Sequence, residues 1–421
     1  MDSRLRENAP LWLAGAAAAV TVISIAAFET LLGLAIVSLL VTRAKWQWPR
    51  VTLPICLWIA GTFASAMASG EPRAAFPQIK KLYLFAMLFV VVTAFRKIGQ
   101  VRWLVCGWAL AASLSAGWGL LQFARKYEVA RAAHENFYLA YVGARITGFM
   151  GHWMTFSGHM MMALLLIGAL VFFGGFHRGL SRGATPWLIG AGVLIAAALL
   201  AAFTRSMWLG AVAGGVYLVW NWRRWLVLGI PVVLAVLFLA NPFALRERAL
   251  SAVQPHGQVD SNEHRVVTRR IGYQMIQAHP WFGLGPEQVG PHVMQYVPSD
   301  VKLPLPEGYY GHLHNIYIHY AAERGIPTML ALLWMLGQAL YDFTRALRRL
   351  PAGAEARWVL HGAIAVIIAV MLSGFYELNL GDSEVLAMFL AVIAVGYVAV
   401  GSLAADNTAM TSTSQSTASR R

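Results

Sequence analysis

Apolar runs long enough to cross a bilayer recur along nearly the whole chain, and no other feature constrains its fold as tightly. A spanning helix needs roughly 20 apolar residues, because inside hydrocarbon every backbone N–H and C=O must find its partner within the segment. The runs predict spans at roughly 10–26, 27–42, 51–69, 77–95, 103–123, 153–175, 186–203, 206–221, 225–241, 314–344, 358–376 and 385–404. Composition agrees: of 421 residues, 58% are hydrophobic and only 12% charged, where a soluble domain carries roughly a quarter charged. The expected fold class is an all-α polytopic membrane protein with about twelve transmembrane helices. Nine of these fall in 1–241 and three in 314–404, with a large loop carrying helices at 242–313 and a disordered cytoplasmic tail at 405–421.

Short loops rich in Lys and Arg stay in the cytoplasm. With the N-terminus inside, five cytoplasmic loops carry Arg43, Lys45 and Arg50; Arg96, Lys97 and Arg102; Arg178 and Arg182; Arg223 and Arg224; then Arg345, Arg348, Arg349 and Arg357. The other face receives "AAFET", "SGEPRAAF", "FTRS", "YELNLGDSE" and the long segments 124–152 and 242–313. Most of the +14 net charge is this topology signal, so nucleic acid is not an expected partner. Cys56 and Cys106 fall inside apolar spans, where a thiol behaves as a small hydrophobe, and imply no disulfide framework. The first helix lacks a small-residue cleavage site and reads as an uncleaved anchor.

Charges that break the orientation rule are costly and usually have a partner. Arg205 lies in "AAFTRSMWLG", a tight outer turn with no carboxylate nearby in sequence, and Arg145 in "GARITGFMGH". Lys80 and Lys81 stand at the outer start of the fourth span, where snorkelling to the interface explains them as well as binding does. In "SNEHRVVTRRIGYQMIQAHP", apolar residues at helical spacing accompany Arg265, Arg269 and Arg270, of which the last two read most simply as solvated. The outer face thus gathers arginines without a matching surplus of acid. A guanidinium fork matches phosphate oxygens in pairs, which points to a lipid-linked phosphate or pyrophosphate.

The stretch "GHLHNIYIHYAAERG" at 311–325 puts three histidines at the mouth of an apolar run. Imidazole, with an ordinary pKa of about 6.5, suits removal of a proton from an attacking hydroxyl. A zinc site through His312, His314 and His319 is disfavoured, because His312 and His314 would diverge if they lay on one helix. A transporter would place charges near the bilayer midplane and break paired helices with Gly or Pro. Here the charges collect at the outer edge, and interruptions such as "GIPT" are not duplicated.

Three stretches in order, "TRSMWLG" at 204–210, Arg270 with "IGYQMIQAHPWFGLGPEQ" to 288, and "HNIYIHYAAERGIPTML" at 314–330, resemble the Wzy-C superfamily. This superfamily comprises bacterial O-antigen ligases, O-antigen polymerases and protein O-oligosaccharyltransferases. The resemblance spans roughly residues 140–345, and His314, Asn315 and Gly325 meet the ligase-type pattern of His-Asn, nine residues, then Gly. The chain departs from many members in carrying "IPT" after Gly325 instead of a second glycine; this is expected to alter the helix start, not the chemistry.

The resemblance implies a membrane glycosyltransferase fold of the GT-C type in the bacterial inner membrane, with the active site facing the periplasm. It implies an undecaprenyl pyrophosphate-linked glycan as donor, with no metal and no cofactor. The residues supply matching parts, since outside the cytoplasm a donor must carry its own activation, and a departing pyrophosphate needs charge neutralisation. By family analogy Arg205 and Arg265 meet the pyrophosphate, Arg145 assists, and His314 is the general base. Asn315, His312 and Lys81 are expected to help bind substrate. Asp382 and Glu384 in "GDSE" form an acid-x-acid pair like that of metal-dependent glycosyltransferases, but a solvated outer loop explains it equally well. The leading expectation is transfer of O-antigen to the lipid A-core acceptor, with polymerase and protein-glycosylating activities sharing the fold.

Overall fold

The computed structural model describes residues 3–174, 183–254, 262–305 and 309–418; Arg178 and Arg182 lie outside these residues. Every regular element described is helical. In chain order they are α1 (Ser3–Val20), α2 (Ile25–Val41), α3 (Thr52–Ala68), α4 (Phe76–Lys80), α5 (Ala86–Ala94), α6 (Ile98–Ala132), α7 (Phe137–Val142), α8 (Trp153–Gly174) and α9 (Ala184–Ala201). There follow α10 (Arg205–Arg223), α11 (Gly229–Ala240), α12 (Leu245–Leu250), α13 (Asn262–Ala278), α14 (Val289–His292), α15 (Ile316–Arg349), α16 (Ala356–Ser373) and α17 (Ser383–Ala418).

Among the described residues eight helices are long and apolar enough to cross a membrane, and three shorter apolar helices cover Asn8–Val20, Ile25–Val41 and Thr52–Ala68. The chain is a multi-pass membrane protein. The runs expected separately at 206–221 and 225–241 form one helical stretch, Arg205–Ala240, broken at Arg223 (φ −149°, ψ 89°). A straight helix of that length would hold its ends about 54 Å apart. Instead, just past the far end, Arg248 donates through Nε to the Phe203 carbonyl at 2.9 Å, and Ser251 Oγ accepts from Arg205 at 3.0 Å. The stretch folds back on itself. Two further boundaries move: α6 runs on to Ala132 through a stretch expected as loop, and the α17 backbone continues to Ala418 into the expected tail.

The core is built where helices carry apolar or small residues on every face. α16 and the first part of α17, residues 385–399, bury most of their side chains, Val366, Ile367, Phe389 and Leu390 among them, and α8 packs beside them with Met160, Met162 and Leu166. Close approach of α10 to α16 depends on Gly210 and Gly214, one turn apart. A Cβ on either would come within 2.8 Å of the Ala369 or Ala365 carbonyl oxygen, the small-residue packing that membrane helices use. α11, with no buried side chain, lies at the periphery.

The ends of the bundle differ. At one, Arg50 pairs with Asp342, Arg102 with Glu355, and Arg357 donates to the Leu347 and Leu350 carbonyls. Trp48, Trp103, Trp220, Trp222 and Trp225 are exposed and lie within a few residues of Arg50, Arg102, Arg223 and Arg224 in sequence, as amphipathic rings do at a membrane interface. At the other end the segments 71–81, 133–153, 241–254, 262–305, 309–315 and 374–383 converge.

Candidate active site

Asn315 organises that second end. Its side-chain oxygen accepts from Tyr317 N and Ile318 N, both at 3.0 Å, capping α15, while Nδ2 donates to the Phe375 carbonyl at 3.0 Å. Ile316 N also donates to the Gly374 carbonyl at 2.8 Å. The start of α15 is thereby zipped to the loop after α16. Asn315, expected to touch substrate, has its side-chain oxygen and one amide N–H engaged with backbone. Its neighbour, His314, adopts φ +48°, a left-handed conformation that costs a β-carbon residue energy and that tends to be kept at functional positions.

The zipper brings His314 to Glu377. His314 Nδ1 lies 3.1 Å from Glu377 Oε2, and Arg265 is paired with the other carboxylate oxygen, Oε1, while its Nε donates to the Tyr376 carbonyl at 3.2 Å. Glu377 is only 3% exposed. Burial alone would raise its pKa, but the His314 hydrogen bond and the Arg265 charge outweigh that and bring it down to about 2. An ionised carboxylate only accepts, so His314 carries its proton on Nδ1 and leaves Nε2 as the basic nitrogen.

Two more imidazoles flank it. The His264 ring stacks on Tyr309 at 4.1 Å and meets His314 edge to face at 4.7 Å, and the His312 ring lies 4.3 Å from His314. Burial, with the positive charge that His314 carries when protonated as a second cause, lowers His264 to about 4 and His312 to about 3, so both are neutral near pH 7. The expectation that His312 and His314 would diverge on a helix is corrected: both precede α15, in extended and turn backbone, and their rings meet. His319, a turn inside α15, faces Glu323 at 3.7 Å.

The arginines gather around the Phe203–Arg205 turn. Arg145 donates through Nε to the Val142 carbonyl at 2.8 Å and through Nη1 to the Phe203 carbonyl at 3.4 Å, with its guanidinium over the Trp153 ring at 4.7 Å. Buried Arg248 reaches the same Phe203 carbonyl and, at 3.3 Å, the Tyr138 hydroxyl. Arg205 opens α10, whose N-terminal end adds its own positive partial charge. Burial and the neighbouring Arg248 pull Arg145 down to about 9, which leaves it cationic at neutral pH. Arg145 also feels the charges of Glu377 and Arg265, so the cluster borders the histidine site. Arg269, by contrast, lies over Tyr376 and donates to the Phe375 carbonyl, and Arg270 forms an exposed two-pronged pair with Asp300.

Lys81 donates to the Gly381 carbonyl at 3.2 Å, and Asp382 accepts from the Thr155 hydroxyl at 2.8 Å. Lys81 and His312 share a cavity of about 560 Å³ with His152 and Asp382. Glu384 sits in the first turn of α17. Two site residues were not singled out from sequence, Glu377 and Arg248. Glu377 stands in the quoted outer loop "YELNLGDSE", opposite the arginines that lacked an acid partner; Arg248 had no such cue.

The second half of the motif set explains the break in α15. Gly325 interrupts the helix at φ 81°, ψ 160°, and the "HPWFGLGPEQ" loop docks there. Leu284 N donates to the Ala322 carbonyl and Gly285 N to the Glu323 carbonyl, both at 2.9 Å, and Ile326 N donates to the Pro280 carbonyl at 2.8 Å. A Cβ on Gly325 would strike the Trp281 carbonyl, and one on Gly283 the Glu323 backbone.

Residues 190–333, which include the Arg205 turn, α13 with Arg265, the docked glycine loop and the His314–Asn315 start of α15, match the family model Wzy_C, described as O-antigen ligase. No curated protein matches the chain. Over residues 190–333 the chain is similar to the O-antigen ligase family, a superfamily of ligase- and polymerase-type enzymes, and it is a multi-pass membrane protein.

Proposed function

We propose that the protein is an O-antigen ligase that transfers polysaccharide from undecaprenyl pyrophosphate to a sugar hydroxyl of lipid A-core, on the periplasmic side of the bacterial inner membrane. The observation that carries this reading is the chain His314–Glu377–Arg265, a base oriented by a buried carboxylate that is itself tied to an arginine. His314 Nε2 takes the acceptor proton while the freed oxygen forms the new glycosidic bond to the anomeric carbon. The bond from that carbon to pyrophosphate breaks, and its electron pair leaves with the pyrophosphate. Arg265, Arg205 and Arg145 stabilise the charge that accumulates there. The basic loops at the opposite end of the bundle support placing the site outside the cytoplasm.

The test is an assay with purified protein, lipid-linked glycan and rough lipopolysaccharide, with and without EDTA. The wild type is expected to turn over in both conditions, and His314→Ala to lose roughly 10²–10⁴-fold, the usual contribution of a general base. Robust turnover by His314→Ala removes this histidine from the mechanism. Activity that EDTA abolishes and a divalent ion restores transfers attention to Asp382 and Glu384.

A further inference from the structure

A cavity of about 560 Å³ lies beyond His312, lined by Gln78, Lys81, Glu287, Tyr310, Glu323 and Asp382, and its volume is ordinary for a small-molecule site. None of the clustered arginines, Arg145, Arg205, Arg248 or Arg265, lines it. Three carboxylates against one lysine make it unwelcoming to a pyrophosphate, whereas carboxylate and amide oxygens suit the hydroxyl groups of a sugar. His319 also lines the cavity, is 6% exposed, and its buried Nδ1 has no hydrogen-bond partner among the described residues. A buried polar atom left so costs free energy that a ligand hydroxyl would recover.

The wall is braced by a closed circuit of four residues, one link of which is the Glu287 backbone N–H. Arg324 Nη2 donates to Gln78 Oε1 at 3.1 Å, Gln78 Nε2 to Glu287 Oε1 at 2.5 Å, and Glu287 N to Glu323 Oε1 at 2.9 Å; Glu323 Oε2 lies 3.2 Å from Arg324 Nε. Arg324 is itself held between the rings of Trp58 and Tyr320 at 4.7 and 4.9 Å. The circuit fixes Glu287 at φ +66°, a strained conformation for a residue with a side chain, while its carboxylate stays exposed.

We propose that this cavity is the acceptor subsite, seating an uncharged, hydroxyl-rich sugar ring against His312, whose ring lies 4.3 Å from that of His314, with Glu287 as its main hydrogen-bonding anchor. The proposal rests on the transferase reading above and adds where the acceptor sits and what chemistry selects it.

The test measures initial rates while acceptor and donor are varied separately, for Glu287→Gly, Glu287→Gln and Gly311→Phe. Glu287→Gly removes the carboxylate and relieves the positive φ. Gly311 lines the cavity and a Cβ there meets nothing within 4 Å, so a side chain can start there without a clash and a phenyl group takes up cavity space. All three are expected to raise the acceptor KM about tenfold or more, the two Glu287 variants by loss of one charge-assisted hydrogen bond and Gly311→Phe by occupying the sugar's space, with donor KM and kcat within about twofold. Calorimetric binding of deacylated core oligosaccharide should weaken in parallel. A raised donor KM, or a lower kcat at unchanged acceptor KM in variants whose thermal midpoints match the wild type, overturns the assignment. Wild-type protein that ignores rough lipopolysaccharide but extends a polymer or glycosylates protein defeats the ligase reading instead. The same three variants assayed with that acceptor still decide the cavity, since an unchanged acceptor KM overturns it.

Discussion

Glu377 holds His314 by Nδ1 at 3.1 Å with one carboxylate oxygen and Arg265 with the other. The residue that orients His314 is thus also the residue that fixes an arginine, so the two positions are mechanically coupled. Glu377→Gln keeps the shape but loses the charge, and an amide can present N–H where His314 needs an acceptor. Transfer is expected to fall by roughly 10²-fold or more, with donor binding weakened as Arg265 is released. Single-turnover rates and donor titrations on the purified variant check both; loss of donor binding at an unchanged single-turnover rate would contradict the orienting role.

Among the arginines, Arg205→Lys and Arg265→Lys are each expected to impair transfer although the charge is kept. A point charge cannot reproduce a two-pronged contact, and a charge-assisted bond is worth about 1.5–3 kcal/mol, a roughly ten- to hundredfold rate effect. Arg269→Lys, whose contacts are exposed and made to a carbonyl and a ring face, should change little. Equal losses in all three at matched protein levels would erase the distinction between binding and surface arginines.

Gly325→Ala is expected to destabilise the protein by at least about 1–3 kcal/mol from backbone conformation alone, and further through collision with the Trp281 carbonyl. Because the glycine loop carries Glu287, activity should fall as well. Gly311→Ala, placed in open space, is the matched control. Thermal unfolding in detergent compares them, and equal midpoints would show that the break in α15 is not required.

Acid should loosen the site in two overlapping windows. His264 and His312, lowered from 6.5 to about 4 and about 3, are neutral in the folded state and take up protons on unfolding, so stability is lost as pH falls below about 6.5. Glu377, lowered from 4.5 to about 2, contributes stability above pH 4.5 that is lost as pH falls toward 2. Thermal midpoints between pH 7 and 4 should decline, and the decline should be shallower in His264→Asn and His312→Asn. An unchanged slope in both variants would place the acid sensitivity elsewhere.

The proposed topology puts 242–313 outside and the "RALRRLP" loop inside. Ser299→Cys and Ala352→Cys, each in a chain lacking Cys56 and Cys106, should label oppositely with an impermeant thiol reagent in spheroplasts. Labelling of the residue-352 thiol in intact spheroplasts would reverse the orientation.

Membrane helices follow from composition because lipid leaves the backbone no other way to pair its polar groups, so the apolar runs alone determined the all-helical, multi-pass architecture. The resemblance to the family pattern of His-Asn, nine residues, then Gly likewise marked His314, Asn315 and Gly325, which lie close together along the sequence. The carboxylate partner of His314 was not so marked. Glu377 stands 63 positions from His314, and only the packing of α15 against α16, zipped through Asn315 and Ile316, brings the carboxylate to the imidazole. The same holds for Arg248, which meets Phe203 because the 205–240 stretch folds back, and for the Arg324–Gln78–Glu287–Glu323 circuit, whose members come from three distant segments. Periodicity reports which face of a helix is buried, but the identity of what covers it depends on how helices cross, and that is decided only by tertiary packing.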